Sequence, residues 1–384
     1  MTPHSTIASL RQRETIGWID FLRVLAIVMV VVSHCCDNYT AMFGVNQDDF
    51  TIGAIIGSLM RPCVPLFAMM SGVLLFPVKQ NTTLTAFYRK RIGRILWPLI
   101  FWSLTLPVLN FLAFNYVWPD PANMSLVGPY NVDTLINRLY TWVFNFNYDT
   151  TPLWYVYMLI GIYLVLPIVS HWLDTASDRD IRTVLAIWAF TLLAPYIQYF
   201  APDLGYRGNF GNMGIWGACS WNAFGTFYYT SGFLGYMILA SYLMRHPIRC
   251  SAAKLYGITI PMFIIGFAIT YLSYISLMPT ANWNLIELAW YFCGINVFMM
   301  TLPVFLWVER AKIKSRPILT SLAIMSFGVY LCHFSIVQFG YEILYPTGLP
   351  AIIRLLLNAV LTLIVSFAIV RLMMSTKLLR RFVA

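Results

Sequence analysis

The sequence predicts an all-α fold: a polytopic integral membrane helix bundle of about ten transmembrane helices, with both termini cytoplasmic. Three observations carry this. Of 384 residues, 59% are hydrophobic and only 10% charged, with a mean hydropathy of +0.70, whereas soluble domains carry about 25% charged residues. Apolar runs of about 20 residues, the length needed to cross a bilayer, recur along the whole chain. Basic residues cluster in alternate connections between those runs, as the positive-inside rule requires.

The spans fall at about 17–36, 53–76, 93–117, 152–172, 182–200, 221–243, 254–276, 284–307, 318–342 and 351–373. The first is too long for a secretory signal and has no small-residue cleavage site, so it is read as retained. Prolines in the second and third predict kinks. With the N-terminal tail inside, all but five of the 25 Lys and Arg residues fall on the cytoplasmic side. The five are Arg138 and Arg207 in outer connections and Arg23, Arg61 and Arg354 within spans. The net charge of +10 is therefore largely topological. It calls for anionic lipid as the ordinary partner and not nucleic acid. The seven cysteines lie mostly in apolar segments without repeated spacing, as packing residues and not as a disulfide framework. One domain, 1–384, with short cytoplasmic tails at about 1–15 and 374–384, accounts for the chain. The longest outer connection, roughly 118–151, has room for a surface helix around Val132–Phe146.

Polar groups at membrane depth are costly and mark functional sites. The first span, IGWIDFLRVLAIVMVVVSHCC, carries Asp20, Arg23 and His34. Asp20 and Arg23, three apart, can pair on one helical face. Arg23 and His34, eleven apart, leave the same side of the helix about 16 Å from each other along its axis. An imidazole titrating near neutrality suits general-base work; the plainer role is an interfacial polar contact. The basic run AFYRKRIGRILWPL offers Arg89, Lys90, Arg91 and Arg94. Arg91 and Arg94 share a face and could clamp an anion with their guanidinium forks, against the alternative of a lipid-facing basic patch. Further pocket candidates are Arg61 and Ser71 in the second span, Trp154 opening the fourth, and Tyr330 and His333 in the ninth. His333 suits either a cavity shared with His34 or an interhelical hydrogen bond. Glu287 and Glu342 fall near outer span ends, and Arg354 and Asn358 read as packing or snorkelling residues. No metal site is expected: His34, Cys35 and Cys36 are consecutive and point about 100° apart, whereas helical ligand pairs use spacings of three or four.

Several of these stretches, in order, resemble the acyltransferase 3 family of integral-membrane O-acyltransferases. They are WIDFLRVLAIVMVVVSH with its Arg23 and His34, VPLFAMMSGVLL in the second span, the RxxR element Arg91–Arg94, LWYVYMLIGIYLVLPI in the fourth, and FGVYLCHFSI in the ninth. The resemblance covers nearly the whole chain. It is greatest to stand-alone members that acetylate cell-envelope glycans, and poorer to members with a fused esterase-like domain. It implies an acyl-CoA donor, usually acetyl-CoA, with no tightly bound cofactor. The acceptor it implies is a hydroxyl of a saccharide or glycolipid, and the location a bacterial plasma (inner) membrane. On that reading the nucleotide end of the donor rests on the basic cluster and its pantetheine arm threads a channel towards His34. His34 acts as general base, or as the site of an acyl-histidine, with Arg23, held by Asp20, at the donor. The rival class is a secondary transporter or flippase for a lipid-linked sugar or small anionic solute. Such proteins show repeated halves with paired broken helices, and the sequence gives no sign of these.

Overall fold

In the computed structural model, residues 16–78, 82–122, 130–144, 147–200, 203–205 and 225–383 are described. They form helices and connecting turns, without a strand. The expected tail 1–15 with Arg11 and Arg13, together with Lys79, Arg207 and Cys219, lies outside the described residues.

In chain order the helices are α1 (Gly17–Thr40), α2 (Gln47–Leu59), α3 (Cys63–Leu75), α4 (Leu84–Leu112), α5 (Val132–Thr141), α6 (Trp154–Thr175), α7 (Asp178–Thr191), α8 (Ala194–Phe200), α9 (Phe233–Arg245), α10 (Ala252–Leu277), α11 (Trp283–Ala289), α12 (Ile295–Arg310), α13 (Pro317–Leu344), α14 (Ala351–Ser375) and α15 (Lys377–Arg380). Among the described residues, eight helical stretches are long and apolar enough to cross a membrane. Two of the ten expected spans are not among them. The sixth falls partly on residues outside the description, and its described part is a 3₁₀ helix at Gly225–Thr230 followed by the 13-residue α9. The eighth is interrupted between α11 and α12, and the 16 residues of α12 rise only about 24 Å, short of a bilayer core.

The second expected span is also broken, at Met60–Pro62, between α2 and α3. Pro62 cannot continue the α2 hydrogen-bond ladder. The two breaks meet. Arg61 donates from Nε and Nη2 to the Trp290 carbonyl at 3.0 and 2.8 Å, and the Trp290 indole donates to Ser58 at 3.0 Å. A carbonyl freed by a helix break needs such a partner where water is scarce. Paired broken helices are thus present, contrary to the sequence expectation. In α4, Pro98 and Pro107 lie inside one continuous helix, and only its far end loosens into a π turn at Ala113–Val117.

α1 runs parallel to α13 in constant register. Asp20 meets Thr320, His34 meets His333 and Phe334, and Asn38 meets Gln338. Both helices bury more than half of their span. α14 packs on both: Arg354 grips Asp49 of α2 through Nη2 at 2.7 and 2.9 Å, with both side chains buried. Arg354 is therefore paired and does not snorkel. Asn358 donates to the Val337 carbonyl at 3.0 Å. The expected surface helix is α5, started by an Asn131–Thr134 capping box. The expected C-terminal tail is packed as far as Val383: the Phe382 carbonyl accepts from Trp102 at 2.9 Å, and its ring stacks on Phe101.

Close approach of α3 to α9 depends on Gly72, where an added Cβ would lie 2.2 Å from the Met237 carbonyl oxygen. Gly72→Ala should destabilise the detergent-solubilised protein by about 1–3 kcal/mol. Gly161→Ala on α6, where a Cβ meets nothing within 4 Å, should be neutral or slightly stabilising. Thermal unfolding of the two variants side by side checks this.

Candidate active site

One end of the bundle gathers cations. Arg23 of α1 and Arg91 and Arg94 of α4 line one cleft of about 290 Å³, together with Phe67, Tyr155, Tyr163 and Tyr330. Among the described residues, none of the three arginines has a carboxylate within 4.0 Å. Asp20 does not hold Arg23. Its Oδ2 accepts from the Thr320 hydroxyl at 2.7 Å, because parallel packing brings that hydroxyl against the first turn of α1. Arg23 is left to turn into the cleft. Three unpaired guanidinium groups in a partly enclosed space repel one another, and an anion between them relieves the repulsion. Arg89 and Lys90, one turn earlier, are exposed and line no part of the cleft.

The inner wall of the cleft is aromatic. Tyr155 and Tyr330 pack at 5.2 Å between ring centroids. The Tyr330 hydroxyl donates to the Pro152 carbonyl at 2.7 Å, and Ser71 stands beside the Tyr155 hydroxyl. Tyr330 touches the cleft on one side and the His333 ring, 5.7 Å away, on the other. Tyr330 thus stands between the cleft and His333, and His34, towards which a passage was expected, is not among the residues lining the cleft.

Beyond that wall the two imidazoles meet, with ring centroids 5.3 Å apart. His34 Nδ1 lies 2.8 Å from Asp37 Oδ2, with side chains 20% and 29% exposed. A carboxylate only accepts, so Nδ1 carries the proton, and Nε2 is left with a lone pair for base chemistry. Asp37 was missed in the sequence because the first span was ended at Cys36. The helix continues to Thr40, and the three-residue spacing used for Asp20 and Arg23 would have found the pair. His333 is buried. Its Nδ1 donates to the Tyr330 carbonyl of its own helix at 2.7 Å, so it makes no interhelical bond, and its Nε2 has no partner.

Arg61 and Trp154 come together elsewhere. The Arg61 guanidinium lies 4.1 Å over the Phe292 ring, and Trp154 stacks on the same ring at 5.6 Å. This cluster clamps the break between α11 and α12 and lies outside the cleft. Among the described residues, no group of three or more His, Cys, Asp or Glu side chains is arranged to hold a metal ion. Cys36 Sγ donates to the Val32 carbonyl at 3.1 Å, inside its own helix.

α1 thus carries both an arginine of the cleft, Arg23, and the carboxylate-oriented imidazole of His34. Neither a curated protein nor a solved structure matches the chain. A family model described as an acyltransferase domain matches residues 16–371, nearly the whole length. The chain is a multi-pass membrane acyltransferase of the acyltransferase 3 family.

Proposed function

We propose that this protein is an O-acetyltransferase that moves an acetyl group from cytosolic acetyl-CoA to a hydroxyl of a cell-envelope or lipid-linked saccharide, in a bacterial plasma (inner) membrane. The observation that carries this reading is the cleft lined by Arg23, Arg91 and Arg94, of which Arg23 shares α1 with the His34–Asp37 pair.

The anionic end of the donor sits among Arg23, Arg91 and Arg94. Its neutral pantetheine arm then has to cover the rise from Arg23 to His34, about 16 Å. That separation changes the role of Arg23: it is too far from His34 to act on the thioester oxygen, and it holds the donor's phosphates instead. His34 Nε2 takes the proton of the acceptor hydroxyl as the oxygen forms its bond to the thioester carbonyl carbon. The tetrahedral adduct collapses, the carbon–sulfur bond breaks, and the imidazolium returns the proton to the departing thiolate. Asp37 holds the imidazole in the required tautomer and stabilises its charged form. One base serves both proton transfers, so the acyl group passes directly to the acceptor. Tyr330 must move for the arm to pass, so without donor the cleft and the base stay separated.

Asp37→Asn should lower transfer by about 10²–10⁴-fold while acetyl-CoA affinity is unchanged, as read by steady-state kinetics and equilibrium binding in detergent. Undiminished transfer would remove the pair from the chemistry. Replacing Arg91 and Arg94 together with Gln should weaken acetyl-CoA binding about 10–100-fold. A wild-type affinity would return both to a purely topological role. Rapid mixing with radiolabelled acetyl-CoA and no acceptor should leave no label on the protein. Label trapped on His34 would replace direct transfer with an acyl-enzyme route.

A further inference from the structure

A second cleft, of about 240 Å³, lies between α6, α7 and α9 and takes no part in the site described above. Its walls include Trp172 of α6, Val184, Leu185 and Trp188 of α7, and Leu234 and Ile238 of α9. Of the polar side chains that border it, three are already used. The Trp188 indole donates to the Gly232 carbonyl at 2.9 Å. The Thr230 and Ser231 hydroxyls donate to the Phe227 and Tyr228 carbonyls at 3.1 and 2.8 Å. Water in such a cleft finds too few partners to stay, and an empty cleft forfeits the dispersion contacts of its walls. The lining calls for an apolar guest.

Depth and charge say which guest. Trp172 stands in the last turn of α6 and Arg182 in the second turn of α7, on the side that the basic connections mark as cytoplasmic. From Asp178, where α7 begins, to Trp188 the helix rises about 15 Å, half of a bilayer core. The cleft therefore spans one leaflet. At its cytoplasmic end Arg182 is exposed, one turn before Leu185. Among the described residues, neither Arg179 nor Arg182 has a carboxylate within 4.0 Å. The carboxylates of the same connection are engaged elsewhere. Asp174 lies 4.0 Å from Arg245 and Asp178 3.0 Å from His246, and Asp180 accepts from the Ser177 hydroxyl at 2.7 Å.

We propose that this cleft holds one acyl chain of an anionic phospholipid from the cytoplasmic leaflet, with the lipid phosphate at Arg182. The chain runs from Trp172 along the apolar walls towards the membrane centre. The guanidinium fork takes the phosphate oxygens. Seated there, the lipid braces α9, whose Phe233 ring packs against Trp154 and Phe292 at 6.0 and 6.4 Å. The site stands apart from the acyl-transfer reading and does not depend on it.

The test places the full-length protein in phosphatidylcholine nanodiscs doped with phosphatidylglycerol or phosphatidylcholine that carries a diazirine in its acyl chain. After irradiation, peptide mass spectrometry should find labels on Trp172, Leu185 and Leu234, about fivefold more from the phosphatidylglycerol probe. Arg182→Gln, a change at an exposed position, should bring the two probes to equal labelling of the cleft. Leu185→Trp, which fills the cleft, should remove its labels from both probes. Labels on Leu356 and Val360, exposed on α14, should stay as in wild type. Cleft labels no denser than those on α14 overturn the proposal, as does a phosphatidylglycerol preference that survives Arg182→Gln. An unlabelled cleft in nanodiscs that hold two copies assigns this face to self-association and overturns it too.

Discussion

The parallel contact between α1 and α13 decides the rest of the structure. Two apolar helices can slide or rotate against each other with little penalty in a lipid setting, since burial there supplies no hydrophobic gain. Polar pairs fix the register. Asp20 with Thr320 sets one end, and Asn38 with Gln338 sets the other. Between them His34 has only one place to go, against His333 and Phe334. Rotate α1 by one residue and Arg23 leaves the cleft, His34 leaves His333, and both ends lose their hydrogen bonds together. Site and scaffold are the same interface.

Much of this site was legible in the sequence because its members share helices. Arg23 and His34 sit on one stripe of α1 whatever the tertiary fold, and Arg91 and Arg94 share a face of α4. What could not be read was anything decided by contact between distant segments. Nothing in WIDFLR says that Asp20 will be taken by Thr320, three hundred residues on. Nothing in FGVYLCHF says that Tyr330 will wall the cleft and donate to the Pro152 carbonyl. Asp37 was missed for a simpler reason: hydropathy alone ended the span a turn early. Hydropathy also cannot see a break whose freed carbonyl is capped from afar. The Arg61–Trp290 clamp therefore turned two expected continuous spans into broken ones.

The arginines of the cleft lie towards one end of α1 and the His34–Asp37 pair towards the other, with Tyr155 and Tyr330 in the cleft wall. Arg354 is neutralised by Asp49, whereas Arg61 is held by the Trp290 carbonyl and the Phe292 ring. Leaving either partner of such a buried pair alone is far costlier than forming the pair is favourable. Arg23, Arg91 and Arg94, half-buried or exposed around the cleft, have no such carboxylate partner among the described residues. The paired helix breaks would suit a transporter equally well. Membership in an acyltransferase family decides between the two in favour of acyl transfer.

A structure of the protein in a lipid nanodisc with a non-hydrolysable thioether analogue of acetyl-CoA tests the account most directly. It should show the phosphates among Arg23, Arg91 and Arg94, the Tyr330 ring swung away from Pro152, and the analogue's acetyl carbonyl carbon within about 4 Å of His34 Nε2. Phosphates bound at another surface, or an acetyl group that ends in lipid with Tyr330 still closed over the cleft, would contradict it.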